Sequence, residues 1–274
     1  MSGTDLVTGT AEVGTEAILS CAGLEKSFLG VKAVNGATFD VPRGKISALI
    51  GPNGAGKTTV VNILSGAMKC DAGSVRIGSQ DVTNWDSHRI ARLGLMRTFQ
   101  LSRELGELTV LENLLVAPKE QLGESLLNIF FRPSRVKRQE GEYVDRAVAI
   151  LRTYGLFDLR NSRARELSGG QKKLLEISRA VMASPSLLML DEPMAGVNPA
   201  LIERIGGYIL DLKNQGVTVL MIEHNLNVVE KICDNVIVLA EGRTLATGRL
   251  SDLRANPEVV QAYLGEIIDA GPRS

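Results

Sequence analysis

The sequence GPNGAGKTT at residues 51–59 decides the fold. It fits the pattern Gly-x-x-x-x-Gly-Lys-Ser/Thr, in which the glycines let backbone N–H groups close around phosphate groups. The apolar run ISALI at 46–50 precedes it, and KTTVVNILSG at 57–66 follows with its apolar residues at helical spacing. A buried strand, a glycine-rich loop and a helix in this order predict a phosphate-binding P-loop.

The P-loop supplies the first set of candidate binding residues. The helix N-terminus adds positive potential, Lys57 is placed to reach the outer phosphates, and Thr58 can ligate magnesium. The predicted nucleotide-binding residues of the loop are Gly51, Pro52, Asn53, Gly54, Ala55, Gly56, Lys57, Thr58 and Thr59.

An acidic pair ends a second apolar strand within SLLMLDEP at 186–193. Such a pair often only ends an element, but together with a P-loop it indicates nucleotide hydrolysis. Asp191 is then placed to hold magnesium. Glu192 is the candidate base that polarises the attacking water.

A third motif, SGGQ at 168–171, precedes a helical run. Ser168 and the amides of Gly169 and Gly170 are placed to cap a helix whose positive end attracts a phosphate. Taken alone, the motif also fits an ordinary serine-capped helix start. Because it lies far along the chain from the P-loop, the sequence predicts two separate phosphate-binding features.

The composition excludes several classes of protein. The 274 residues are 44% hydrophobic and 23% charged, as in ordinary globular domains, and the zero net charge gives no electrostatic footprint for nucleic acid. The three widely spaced cysteines suit reduced thiols rather than a disulfide framework. No stretch approaches the roughly eighteen apolar residues of a membrane span. Residues 1–17 lack the features of a signal peptide, so we expect a soluble protein with a disordered N-terminal tail.

The order of predicted elements favours an α/β fold. Predicted helices at 171–183, 199–214 and 226–232 alternate with apolar strands at 187–190, 217–222 and 235–239. Such alternation predicts a mostly parallel sheet covered on both faces. Short strands at 18–48 and a hairpin at 73–82 predict an antiparallel β part, and helical patterns at 109–166 predict an insert.

LSGGQ at 167–171, together with the P-loop and the acidic pair, resembles the signature of ATP-binding cassette (ABC) proteins, over residues 18–265. The resemblance implies a P-loop NTPase core with an antiparallel β subdomain, and a helical subdomain at about 101–183 that carries the signature. Residues 266–274 are then a C-terminal tail. In that family two cassettes pair head to tail, and the signature of one closes over the ATP on the P-loop of the other. The two phosphate-binding features then serve different nucleotides.

The resemblance also implies ligands and partners. These are ATP and Mg²⁺, a second ATPase subunit (a paralogue), two membrane permease subunits and, indirectly, a solute-binding protein, with no nucleic acid. The resemblance implies that the chain is a peripheral subunit at the cytoplasmic face of the cell membrane. The signature residues expected at the second nucleotide are Ser168, Gly169, Gly170 and Gln171.

Three further positions match the family one at a time, and a fourth departs from it. Gln100, which ends MRTFQ, matches the glutamine that contacts magnesium and the lytic water and links the core to the insert. His224, after VTVLMIEH, is placed to hydrogen-bond the γ-phosphate. Phe28 matches the aromatic residue that stacks on adenine, where most cassettes have tyrosine, although alone it fits a core position equally well. Asn198 stands where many cassettes have aspartate, so it keeps hydrogen-bonding capacity across a dimer but carries no charge.

Several stretches look like the LivG-type ATPases of branched-chain amino acid importers. They are HRIARLGLMRTFQ, LTVLENLLVA, AGVNP, MIEHNLNVV and NPEVVQAYLGE. Urea and short-chain amide importers share this pattern. Those subunits often have LSYGQ, whereas this chain has the general LSGGQ. Lipopolysaccharide-export ATPases are similar too, but usually have aspartate at the position of Asn198.

Two other interpretations stay open. A non-transport ABC ATPase usually needs a long coiled coil between the glutamine and the signature, or two cassettes per chain, and a basic surface; the sequence has neither a coiled-coil repeat nor an excess of basic residues. A P-loop GTPase or kinase gives no reason for LSGGQ. The apolar and basic segment at 124–138 fits ordinary helical packing or a surface that meets a membrane subunit.

Overall fold

The computed structural model describes residues 16–98, 103–118 and 133–262. Its strands are β1 (Ala17–Phe28), β2 (Val31–Pro42), β3 (Ile46–Ile50), β4 (Ala72–Ile77), β5 (Gln80–Asp81), β6 (Leu95–Arg97), β7 (Leu187–Asp191), β8 (Thr218–Ile222), β9 (Asn235–Ala240) and β10 (Arg243–Gly248). Its helices are α1 (Lys57–Leu64), α2 (Ser87–Arg92), α3 (Val110–Leu115), α4 (Pro133–Thr153), α5 (Gly169–Met182), α6 (Pro199–Asn214), α7 (Leu226–Ile232) and α8 (Leu250–Leu253).

The main sheet has six strands in the order β10-β9-β3-β8-β7-β6. All neighbouring pairs are parallel except the edge pair of β10 with β9. Alternate residues of β3 pack into two different cores: Ile46 and Ile50 face the cluster that includes α5, α6 and α7, and Leu49 faces the cluster that includes α1, β1 and β2. The sheet is therefore covered on both faces, which explains why β3 is apolar and buried along its length.

The carboxyl ends of the central strands lie at one edge of this sheet. Leu49 of β3 and Asp191 of β7 both pair with Ile222 of β8. Because the three strands are parallel, the segments that follow them emerge side by side. The P-loop follows β3, Glu192 follows β7, and His224 lies two residues after the end of β8.

The second sheet is antiparallel, with the order β2-β1-β4-β5. Helices α3, α4 and α5 pack against one another through buried residues such as Leu114, Leu151 and Leu175. The signature motif lies where α5 begins. The predicted α/β class, with its mostly parallel sheet, antiparallel part and helices that carry the signature, is confirmed.

Predicted and observed bounds agree closely in the last third of the chain. The helices at 199–214 and 226–232 have the bounds expected from the sequence. The helix expected from residue 171 begins at Gly169, because the Ser168 side chain caps it. Of the predicted tails only residues 16 and 17 are described, and Ala17 already begins β1.

Three further sequence expectations can be compared with the described residues. Cys21, Cys70 and Cys233 are free, as their spacing predicted. None of the helices within residues 16–98, 103–118 and 133–262 has the length and apolar character needed to cross a bilayer. Most of the apolar and basic segment at 124–138, up to residue 132, lies outside the described ranges.

Candidate functional site

The P-loop curls tightly between β3 and α1. Lys57 is 7% exposed, and its ammonium donates hydrogen bonds of 2.8 Å to the carbonyl oxygens of Gly51 and Pro52. Gly56 has φ +91°, and a Cβ there would lie 2.3 Å from the Ala33 carbonyl oxygen, so only glycine fits. The loop is held in its curve by its own lysine and by close packing against β2.

Asp191, at the end of β7, is joined to the P-loop helix by a buried arginine. Arg97 Nη2 donates to Asp191 Oδ2 at 2.9 Å, and Arg97 Nη1 donates to Asn62 Oδ1 at 2.6 Å and to Ser65 Oγ at 3.3 Å. The Arg97 side chain is 7% exposed and the Asp191 side chain 31%. The arginine therefore fixes the carboxylate against α1 and leaves part of it accessible.

Glu192 and His224 form a pair at the same edge of the sheet. His224 Nε2 and Glu192 Oε1 are 3.1 Å apart, within hydrogen-bond distance, and both side chains are nearly half exposed. Glu192 has φ +47°, a left-handed backbone that costs a non-glycine residue about 1 kcal/mol or more. Its amide donates to the Ile222 carbonyl at 3.1 Å, and Lys173 Nζ donates to its carbonyl at 3.3 Å. The carboxylate is thus aimed outward from a constrained backbone, as a base acting on bound water needs.

The signature turn is built as a reciprocal helix cap. Ser168 Oγ accepts from the Gln171 amide at 3.3 Å, and Gln171 Oε1 accepts from the Ser168 amide at 2.9 Å. This capping box begins α5, a helix of 14 residues. The start of the helix faces a cavity of 490 Å³. The cavity is lined by the signature and the start of α5, by α6 and the loop before it, including Asn198 and Arg204, and by Gly155 and Leu156 after α4. Its lining residues come from these elements rather than from the P-loop.

Asn198 has a local role in its own chain. Its Oδ1 accepts from the Leu201 amide at 2.9 Å and caps α6, with Pro199 as the first helical residue. The sequence predicted a hydrogen bond across a dimer for this residue. The capping bond accounts for a short side chain with an acceptor oxygen at this position, and aspartate would serve the cap equally well. Asn198 also lines the cavity in front of the signature.

Phe28 lies within the described residues and Gln100 lies outside them. Phe28, at the end of β1, is 43% exposed, and Lys26 Nζ lies 5.8 Å from its ring centroid. The ring is therefore on the surface and not in the core, and its stacking on adenine stays a prediction. Gln100 lies outside the described residues, so its predicted role stays a prediction.

Comparison with known proteins identifies the family. The ABC transporter family profile matches residues 34–195. The chain belongs to the ABC transporter family. Within this family, the cassette is 44% identical over 248 residues to the probable branched-chain amino acid transport ATP-binding protein LivG of Archaeoglobus fulgidus, covering 90% of this chain and 95% of that protein. It is 40% identical over 250 residues to the high-affinity branched-chain amino acid transport ATP-binding protein BraF of Pseudomonas aeruginosa, covering 91% and 98%.

Solved ABC structures match the fold over nearly the same span. The crystal structure of a nucleotide-free ATP-binding cassette from an ABC transporter superposes with a TM-score of 0.78 at 39% identity, covering 90% of this chain and 98% of that one. A cassette of an ABC transporter in its ADP conformation gives a TM-score of 0.77 at 38% identity, covering 91% and 99%. The present chain is therefore an ABC ATPase subunit that binds ATP.

The donor set of the cassette fits a magnesium nucleotide. The Lys57 ammonium and the start of α1, a helix of eight residues, suit phosphate oxygens. The Thr58 hydroxyl is exposed and the Asp191 carboxylate is partly exposed, and both are oxygen donors of the kind Mg²⁺ takes. Thr58 and Asp191 thus lie on elements that meet at one edge of the main sheet.

Sequence reasoning missed two residues of the cassette. Arg97 is the last residue of the three-residue strand β6 (LMR), three positions before Gln100. An arginine directly after two apolar strand residues was the signal in the sequence. Glu223 lies directly before His224 and is 4% exposed. An acid at the end of a wholly apolar strand was the signal there. Both residues contact parts of the chain that are far away in sequence, which the sequence alone does not show.

We expect Arg97→Met to lower the free energy of unfolding by about 2 kcal/mol, because it leaves the Asp191 carboxylate and the Asn62 side chain without their main partner. Urea unfolding followed by circular dichroism measures the change. Arg92→Met is the matched control, since Arg92 is exposed at the end of α2, and its effect should stay within about 0.5 kcal/mol. Equal losses in both variants would contradict a structural role for the ion pair.

Proposed function

We propose that this ABC ATPase subunit powers the import of a small polar solute, with branched-chain amino acids as the first candidate substrates. The observation that carries the proposal is the identity of about two residues in five to LivG and BraF proteins, over nearly the full length of both partners. These relatives are named as branched-chain amino acid transport proteins in archaea and in bacteria. Agreement across such distant hosts supports a shared substrate class.

The hydrolytic roles in this proposal follow from the pair at the sheet edge. The Glu192 carboxylate accepts a proton from water as the water oxygen bonds to the γ-phosphorus and the bond to the bridging oxygen of ADP breaks. His224 hydrogen-bonds the γ-phosphate, and its 3.1 Å contact with Glu192 supports a joint action on the same reacting group. Gln100 contacts the water. Lys57 and the loop amides hold the phosphates, and Phe28 stacks on adenine.

Magnesium enters the proposal through three residues of this chain. Thr58, Asp191 and Gln100 are the proposed ligands, directly or through water. When bound, Mg²⁺ neutralises charge on the β- and γ-phosphates. The ion pair of Asp191 with Arg97 supports this assignment, because it holds one carboxylate oxygen in place against α1.

The proposed assembly has two cassettes in a head-to-tail dimer, the second being a paralogue. Ser168, Gly169, Gly170 and Gln171 then face the nucleotide of the other subunit, with Asn198 beside them, and the solvent-facing signature cavity supports this arrangement. Two permease subunits and, indirectly, a solute-binding protein complete the transporter. The cassette itself is peripheral, at the cytoplasmic face of the membrane.

Deletion of this subunit should abolish high-affinity uptake of labelled leucine, isoleucine and valine at micromolar concentrations. The reason is that the proposed head-to-tail dimer loses one of its two cassettes, so the paralogue has no P-loop or signature opposite its own. Uptake assays on the deletion strain, on the strain complemented with the wild-type chain and on the strain complemented with Glu192→Gln measure this. Only the wild-type chain should restore uptake, which separates loss of hydrolysis from loss of assembly.

Other outcomes of the same assay decide against the amino acid assignment. Loss of urea or short-chain amide uptake, with normal amino acid uptake, would replace the substrate class. Normal uptake of all these solutes together with failed export of cell-envelope lipid would replace import by export. The ATPase assignment is independent of these outcomes, because it rests on the cassette and not on the cargo.

A further inference from the structure

Glu223 is a buried acid between the two loops of the hydrolytic pair. It is 4% exposed, and among the described residues it is the only carboxylic acid in the buried class. Burying a carboxylate costs several kcal/mol unless hydrogen bonds compensate it. A residue kept in such a position therefore has identifiable partners, and these show what it holds.

The partners of Glu223 are backbone amides from two separate loops. Its Oε1 accepts from the Met194 amide at 3.0 Å. Its Oε2 accepts from the His224 amide at 3.2 Å and, at the limit of hydrogen-bond distance, from the Asn225 amide at 3.5 Å. Burial raises the pKa of the Glu223 carboxyl, the amides oppose that shift, and the nearby charge of Glu192 adds to it.

These contacts tie together the chain segments that carry Glu192 and His224. Met194 lies two residues after Glu192, and the His224 amide belongs to the histidine itself. Glu192 has the left-handed φ of +47°, a conformation that persists only where the surroundings enforce it. One carboxylate thus restrains both ends of the 3.1 Å contact between Glu192 Oε1 and His224 Nε2.

We infer that Glu223 is a positioning residue for ATP hydrolysis, whose buried carboxylate bridges the Met194 and His224 amides and so sets the Glu192–His224 geometry. The inference rests on the proposed roles of Glu192 and His224. It does not involve contact of Glu223 with nucleotide, because the residue is buried and both carboxylate oxygens accept from backbone amides. It therefore affects the rate of hydrolysis and not the affinity for ATP.

The test is an isosteric exchange, Glu223→Gln, in the subunit purified with its transport partners. An amide keeps one acceptor oxygen, so its NH₂ group must face a backbone N–H in either orientation. We expect kcat for ATP hydrolysis to fall by about tenfold to a hundredfold, with KM and the affinity for ATP within about twofold of wild type. Glu223→Asp is shorter by one methylene group and cannot reach both loops, so kcat should be intermediate at an unchanged KM.

Asn113→Asp is the matched control for a general loss of stability. Asn113 is fully buried, and its amide nitrogen donates to the carbonyl oxygens of Leu105, Leu108 and Thr109. The isosteric exchange to aspartate therefore places a carboxylate oxygen against these carbonyl oxygens. The site is far from Glu192 in the chain. We expect it to lower the unfolding midpoint while leaving kcat within about twofold. The inference is overturned if both Glu223 variants keep the wild-type kcat, or if kcat and ATP affinity fall together in them.

The same series distinguishes this inference from the proposed function. Wild type and Glu192→Gln are measured alongside. If wild type hydrolyses ATP and Glu192→Gln does not, the proposed function stands whatever Glu223→Gln does. If Glu192→Gln turns over ATP at the wild-type rate, the proposed base is wrong, and a loss of kcat in Glu223→Gln then no longer supports positioning of that base.

Discussion

Glu192→Gln should lower kcat for ATP hydrolysis by at least about a hundredfold while ATP binding stays intact. Only the proton acceptor is lost. The amide oxygen can still accept from His224 Nε2 across the present 3.1 Å, and the constrained backbone at Glu192 is held by Ile222 and Lys173, which the exchange does not touch. ATP then binds without being consumed, and we expect the nucleotide-bound dimer to accumulate.

Steady-state phosphate release and equilibrium binding of ATP measure the two effects separately. Glu203→Gln is the matched control: Glu203 is exposed on α6 and forms an ion pair with Lys231 at the surface, so kcat should stay within about twofold of wild type. Wild-type turnover of Glu192→Gln at saturating Mg-ATP would show that another group accepts the proton.

Ser168→Arg should block ATP-driven dimerisation and leave the affinity of the monomer for ATP unchanged. The added guanidinium occupies the cavity of 490 Å³ in front of the signature, where the partner's nucleotide is proposed to enter. The P-loop of the same chain is not among the lining residues of that cavity, so its own ATP is unaffected. Light scattering with ATP, in the Glu192→Gln background that prevents turnover, measures the dimer.

Ser168→Ala separates this steric effect from helix capping. It removes the hydroxyl that accepts from the Gln171 amide, at a cost of about 1 kcal/mol, without filling the cavity. We expect Ser168→Ala to retain an ATP-dependent dimer, weaker than wild type, and Ser168→Arg to give none. A normal dimer with the arginine variant would mean that the signature does not face a second nucleotide.

The sequence predicted those parts of the fold whose information is local. Helix α6 was predicted at 199–214 within the alternation of strands and helices, and β3 was predicted from the run ISALI, which ends directly at a glycine. The strand β10 was missed because it lies at a sheet edge and is only partly buried, so it lacks an apolar pattern. Its pairing with β9 is visible only in three dimensions.

The candidate site divides in the same way. Motifs identified Lys57, Asp191 and Glu192, because phosphate binding and hydrolysis need fixed residue types next to a strand end. Arg97 and Glu223 could not be identified from spacing, since each acts through partners on other elements: Arg97 through α1 and β7, Glu223 through the loop after β7. A charge beside an apolar strand signals a polar contact, but the partners of that contact become known only from the structure.

The position of β3 at the centre of the main sheet has a consequence for folding during synthesis. Both of its neighbours, β8 and β9, come from the last quarter of the chain, so the P-loop strand leaves the ribosome long before either can pair with it. The early lobe of β1, β2, β4 and α1 can cover the face of β3 that carries Leu49, because those elements share one core with it. The face with Ile46 and Ile50 can be covered only after α5, α6 and α7 have been synthesised. We therefore expect the nascent N-terminal lobe to expose one apolar face until synthesis is nearly complete, which makes chaperone binding most important in that interval.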